Sequence, residues 1–163
     1  LWHHSMDVAS WAYVIARQGR KVSADVALLA GMMVDIGQFL LLARASEFPA
    51  MEADIARFVE FASLWSEPVG RAVLRVFDLP DQIVDAYAYD DPRGRPWPPE
   101  SLFDVVLTAT LAAETLNPFD TVPGGRRGRW ESLLQDDLPV QQLEVAKAAG
   151  RTEHAQMLAA LSG

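Results

Sequence analysis

Apolar residues recur at steps of three and four along most of the chain. Trp2, Met6, Ala9, Tyr13 and Ala16 form the first such stripe and predict a helix over about 1–17, because a 3.6-residue period brings those steps to one face. Arg17 in its last turn suits the negative end of the helix dipole, and Gly19 is read as the stop. Ser23 is the candidate N-cap of a second helix, with Asp25 in its first turn and Val26, Leu29, Met33 and Ile36 as its stripe. Gly37 is expected to bend or end it, and residues 39–42 to begin a short third helix. Pro49, followed by Glu52 and Asp54, marks the next start, with Ile55, Phe58, Val59 and Leu64 facing inward. Ser66 is read as the N-cap of a separate helix carrying Val69, Val73, Leu74 and Phe77. Leu79-Pro80 is a break, and residues 81–89 read as a helix with Ile83, Val84 and Tyr87 apolar.

Residues 90–99 hold four of the ten prolines and read as a loop. A strongly apolar helix is expected over 100–116. Residues 117–129 read as a second loop that carries the only basic cluster, Arg126, Arg127 and Arg129. A helical turn over 130–134 and a final pair, 139–149 and 152–161, split by Gly150, complete the chain. No run alternates as a strand would, and no internal period repeats. The fold class is therefore all-α, a compact multi-helix bundle, with residues 1–163 as one domain.

Composition narrows the function classes. At 163 residues the chain fits one domain. With 50% hydrophobic and 22% charged residues, it has the makings of a packed core. It carries 14 basic and 22 acidic side chains, a net charge of 14 − 22 = −8, which weighs against nucleic acid or an anionic membrane as partner. Cysteine is absent. Disulfides, thiolate metal sites and thiol nucleophiles are thereby excluded, in keeping with a cytoplasmic location. The longest apolar stretch, 27–43, is interrupted by Gly31, Asp35, Gly37 and Gln38, and is expected to fall short of a membrane-spanning helix. The chain opens on Leu1 rather than Met, and reads as a piece of something longer.

Candidate chemistry is sparse. There is no P-loop, no GxGxxG and no GxSxG. The segment Gly124–Arg129 (GGRRGR) lacks the strand-before, helix-after context of a phosphate loop, so it reads as a flexible polar loop, with a phosphate cradle as the weaker alternative. His3, His4 and His154 are the only histidines. His3 and His4 are neighbours, so on a helix only one can face a given pocket. His154 is expected at the surface. That is thin for a metal centre built on histidines.

One set of motifs is more specific. Leu1-Trp2-His3-His4-Ser5, then Gly31-Met32-Met33-Val34-Asp35-Ile36-Gly37 about thirty residues on, resembles the HD superfamily, and within it the HDOD (HD-related output domain) family. Pro68-Val69-Gly70, Leu74, Leu79-Pro80, Ile83, Ala86 and Tyr89 continue the family pattern. The resemblance spans about residues 1–116 and implies an HD-like helical bundle, with residues 117–163 forming a loop and extra C-terminal helices. It also implies that His4 and Asp35 lie close together on neighbouring helices near the centre. The relic pocket of that family would involve His4, Val34, Asp35, Ser66, Asp90, Asp91 and Thr110.

The departures matter as much as the matches. Val34 replaces the histidine of the His-Asp doublet, Ser66 stands where a histidine is frequent, and Asp90-Asp91 stand where a His-His pair is expected. Only His4 and Asp35 remain as weak metal candidates. The preferred reading is a buried structural pair whose loss, in Asp35→Ala, is expected to cost about 1–3 kcal/mol. The resemblance therefore implies a bacterial, non-catalytic signal-transduction module that works through protein–protein interaction and needs no cofactor. Two alternatives stand beside it: a degenerate metal-dependent phosphohydrolase, and a nucleotide sensor using the relic pocket, with Arg93, Arg95, Arg126 or Arg127 as phosphate contacts. Trp2, Trp11 and Trp65 are expected as core anchors. The resemblance implies a preceding helical half, which is expected to be missing from a chain that opens at the LWxHS motif. An apolar face near Trp2, Trp11 and Tyr13 is therefore expected to be covered by a protein partner, by other domains of a parent chain or by a second copy in a homodimer.

Overall fold

The computed structural model describes residues 1–45, 47–48, 54–87, 91–121, 126–134 and 140–163, and among them every regular element is helical. The elements are α1 (Trp2–Gly19), α2 (Ala24–Met32), α3 (Ile36–Ala45), α4 (Ile55–Val76), α5 (Asp81–Ala86), α6 (Leu102–Ala112), a 3₁₀ turn η1 (Pro118–Thr121), α7 (Arg126–Leu133) and α8 (Val140–Ser162).

α1 lies at the centre, packed against α2, α6 and α8, while α3 packs on α4. It is buried on almost every side from His4 to Ala16, so its stripe is only part of what it hides. Its end differs from the expectation: Gly19 stays helical, and Arg20 takes the left-handed cap conformation, φ 57°, donating its N–H to Ala16 O. Gly31 brings α2 against α1, since a Cβ there would stand 2.9 Å from Ala9 N. The main core draws Val8, Trp11, Leu74, Val105, Trp130 and Leu143 from five different helices.

Several boundaries moved. α3 begins at Ile36, with Gly37 in its first turn rather than at a helix end. The reason is packing. A Cβ on Gly37 would run into Ser66 O and approach Tyr87 Oη to 2.8 Å, while one on Gly70 would collide with the Tyr87 ring. Tyr87 Oη accepts from Gly37 N at 3.1 Å and donates to Ser66 O at 3.2 Å, tying α3, α4 and the end of α5 together. Ser66 does not begin a helix: α4 runs unbroken through it and through Pro68. Ser66 Oγ returns its proton to Ala62 O. The cap of α4 is Asp54, whose carboxylate accepts from Arg57 N at 3.1 Å. The start read at Pro49 lies outside the described residues.

α6 is shorter than the pattern suggested. Ser101 and Asp104 cap its start reciprocally, and the chain leaves helical geometry at Ala113. α7 begins at Arg126, inside what reads as loop from sequence. α8 is continuous through Gly150, where the missing Cβ admits Val14 and Gln18 of α1.

Counted as one segment, residues 24–45 do reach the length and apolarity of a membrane-spanning helix, with mean hydropathy 2.0, contrary to the reading from their interruptions. In the fold the segment is two helices turning at Met33–Asp35, and the turn carries a fully buried carboxylate.

Candidate functional site

The HD-like motif residues converge where α1 meets the α2–α3 turn. His4 and Ser5 enter from the first turns of α1, and Asp35 sits in the turn itself. All three side chains are buried. A carboxylate removed from water must be compensated, and Asp35 is compensated from several directions. Ser5 Oγ donates to Oδ2 at 3.0 Å, and Asn117 Nδ2 donates to Oδ1 at 3.0 Å. Arg126 Nη2 donates to the same Oδ1 at 2.9 Å. Arg126 is itself buried, donates from Nη1 to Val34 O at 3.0 Å, and lies over the Trp130 ring at 5.5 Å. Asn117 also donates to Gln38 Oε1 at 2.8 Å, and its own carbonyl oxygen caps Phe119 N at 2.8 Å.

His4 is a neighbour of Asp35 but not its hydrogen-bond partner. Its Nε2 stands 3.7 Å from Asp35 Oδ2 and has no hydrogen bond among the described residues. Its Nδ1 lies 2.6 Å from Thr115 O. A carbonyl only accepts, so the proton sits on Nδ1. The expected His–Asp pair is thus two residues in contact, each held by other groups.

A second polar pair meets the same Thr115 backbone. Asp7 Oδ2 accepts from Glu114 N at 3.0 Å and Thr115 N at 2.8 Å, and Oδ1 accepts from His154 Nε2 at 2.8 Å. The His154 ring stacks on Trp11 at 4.1 Å, with 14° between planes. His154 is therefore an internal tie between α8 and α1, contrary to its reading as a surface residue. Burial by itself raises the pKa of Asp7, but the His154 and Thr115 hydrogen bonds outweigh that and hold it below the ordinary value.

The other expected positions lie elsewhere. Val34 is core, joined to the site through its carbonyl. Ser66 belongs to the Tyr87 node, and Thr110 returns its hydroxyl to Val106 O at 2.9 Å within α6. Asp91 is exposed and chelated by Arg93, whose guanidinium and backbone N–H hold its pKa down at about 2. Asp90 lies outside the described residues. Among the described residues, no three His, Asp or Glu side chains are grouped as a metal would need. Oδ1 of Asp35 already accepts from Asn117 and from the Arg126 guanidinium, whose positive charge opposes a divalent ion there.

The candidate phosphate contacts are also engaged internally. Arg126 faces Asp35. Arg127 donates to Ala113 O at 2.7 Å and Leu111 O at 3.2 Å, covering the carbonyls that α6 leaves open at its C-terminus. Arg95 lies 4.6 Å above the Phe103 ring and donates to Asp91 O at 3.1 Å. Sequence reasoning missed Ser5, Gln38, Asn117, Thr115 and the inward role of Arg126. Ser5 was legible as part of the LWHHS run; the others come from segments that no local pattern connects to α1.

No curated protein and no solved structure matches the chain. The HDOD domain family matches residues 1–92, a shorter span than the resemblance up to 116. Asn117, Arg126 and His154 thus lie beyond it. More than half of the 163 residues is covered, in the order of motifs that builds the site around Asp35, and the chain belongs to the HDOD domain family.

Proposed function

We propose that this protein is a non-catalytic signalling module that works by binding other proteins. The observation that carries the reading is the state of Asp35. In a hydrolase of the wider HD type, the aspartate of the doublet holds an ion that activates water. Here Arg126, Asn117 and Ser5 take the carboxylate, and Val34 offers no ligand atom. The site is built to be stable rather than to bind and release. The apolar surface displayed by α4, described below, supports the interaction half of the reading.

Incubation with manganese or magnesium, followed by elemental analysis and assay against an activated phosphodiester, tests it. No bound metal per chain and no turnover are expected. Stoichiometric metal together with hydrolysis that Asp35→Ala abolishes would overturn the reading.

A second reading has its own observation. Arg95, Trp97 and Thr108 line a cavity of about 290 Å³ between the proline-rich segment and α6, near the lower end of ligand-site volumes. That size suits a small sensed molecule. A thermal-shift series with nucleotides separates it from the first: a saturable rise in Tm that Arg95→Ala removes would favour sensing.

A further inference from the structure

α4 shows a helix face that a monomer has little reason to keep. Its inner side is complete, with Phe58, Ala62, Ser66, Gly70 and Leu74 buried at steps of four. Its outer side is not polar. Leu64 is 75% exposed, Trp65 50% and Val76 83%, and Phe77 just beyond the helix is 70% exposed. Pro68 and Ala72 are exposed between them, and Phe61, partly buried, lies 6.1 Å from the Trp65 ring. At 3.6 residues per turn, Phe61, Leu64, Trp65, Pro68, Ala72 and Val76 form one continuous apolar stripe. Contiguous exposed stripes of this kind mark interaction surfaces. This also corrects the expected location of the apolar face, since Trp11 is buried in the core and only Trp2 of that group is well exposed.

The charges beside the stripe say what covers it. Arg57, Glu60, Arg71 and Arg75 run along one flank, and Asp78 follows the helix. Glu60 and Arg75 are exposed and make no ion pair with other described residues. In an antiparallel pair of identical helices, like flanks face each other. One antiparallel register then sets Glu60 against Arg75, and two-fold symmetry makes the pair twice. Arg71 falls opposite Leu64, and Glu67, next to the two-fold axis, is neutralised by Arg71 of its own helix at 3.7 Å.

We infer that α4 is the contact surface of a two-fold homodimer, with the two copies of α4 antiparallel about a point between Glu67 and Pro68. The inference rests on the reading of the protein as an interaction module and names the partner and the surface. The apolar stripe supplies the driving force and the charged flank sets the register.

Charge exchange tests it on the whole chain, by light scattering and sedimentation at micromolar concentration. Wild type is expected to be dimeric. Glu60→Arg alone places arginine against arginine at both sites, and Arg75→Glu alone places glutamate against glutamate. Each is expected to weaken the dimer roughly tenfold or more. Mixing the two variants restores opposite charges at both sites, and the mixture is expected to associate where neither variant does. Leu64→Asp, at an exposed position, is expected to give a folded monomer by circular dichroism.

A wild type that stays monomeric overturns the inference, as does a dimer indifferent to Leu64→Asp or a mixture that associates no better than its parts. None of these results bears on metal-dependent hydrolysis, whose detection would instead sink the non-catalytic reading and leave the dimer standing.

Discussion

Asp35 shows how a buried charge is settled in this protein. Its carboxylate is fully enclosed, and the cation that balances it is a side chain 91 residues away in sequence. Removing one partner of such a pair strands the other. Arg126→Met, which preserves much of the side-chain volume, is therefore expected to cost about 3–5 kcal/mol in urea unfolding. The double variant with Asp35→Asn should recover part of that loss, because the stranded charge is gone. Equal stability of Arg126→Met and wild type would mean that the pair carries no net weight. Asp7 makes a different claim, in pH. Its folded pKa is lowered, so the unfolded chain binds more protons and stability rises with pH in that range. The contribution is present above the ordinary aspartate pKa and is lost as pH falls through the folded value. Unfolding titrations between pH 2 and pH 6, a range set by ordinary carboxylate values, should show a shallower acid slope in Asp7→Asn than in wild type. Identical slopes would remove Asp7 from the acid response.

The helices are held in register mainly by absent side chains. Gly31, Gly37, Gly70 and Gly150 each mark a place where another helix or ring occupies the position of a Cβ. None needs a positive φ, and all four lie within helices. Their helical periodicity was readable, but their purpose was not. A glycine that breaks a helix and a glycine that lets a neighbour approach look the same in one sequence, and so Gly150 reads as a break while α8 passes through it. Substitution separates the two. Gly37→Ala puts a methyl into Ser66 O and Tyr87 Oη, and is expected to destabilise by about 1–3 kcal/mol even though alanine favours helix. A rise in Tm would mean that the node relaxes at no cost.

At the scale of the whole molecule, the family-matched residues do not complete their own site. Thr115, Asn117, Arg126 and His154 reach back to α1 and the α2–α3 turn from beyond residue 92. A chain ending at Ala112 keeps every family motif but loses all four. It also uncovers Val14 and Trp11, against which α8 packs. Such a chain is expected to lose cooperative unfolding and dispersed amide signals in NMR. A truncated chain that melts sharply near the full-length Tm would mean that the C-terminal elements are an addition to the fold rather than part of it.

What the sequence determined by itself was local or motif-borne. The 3.6-residue period set the all-α class and located most helices. The order of LWHHS, GMMVDIG and the Leu79-Pro80 break carried the family, and put His4 near Asp35. The period is held within a turn or two of chain, and the family in short runs read together with their order along the chain. The tertiary structure alone decided which groups neutralise Asp35, why His154 is inside, why α4 and α8 run on through Ser66 and Gly150, and which helix face is left bare. Those outcomes depend on residues far apart in the chain meeting in a closed core, where a buried charge must find a donor and two helices cannot share one volume. Arg126 reads as a loop arginine and candidate phosphate contact until Asp35 is placed beside it. Trp65 reads as a core anchor until Phe58, Ala62, Ser66 and Leu74 are seen to fill that side of α4 already.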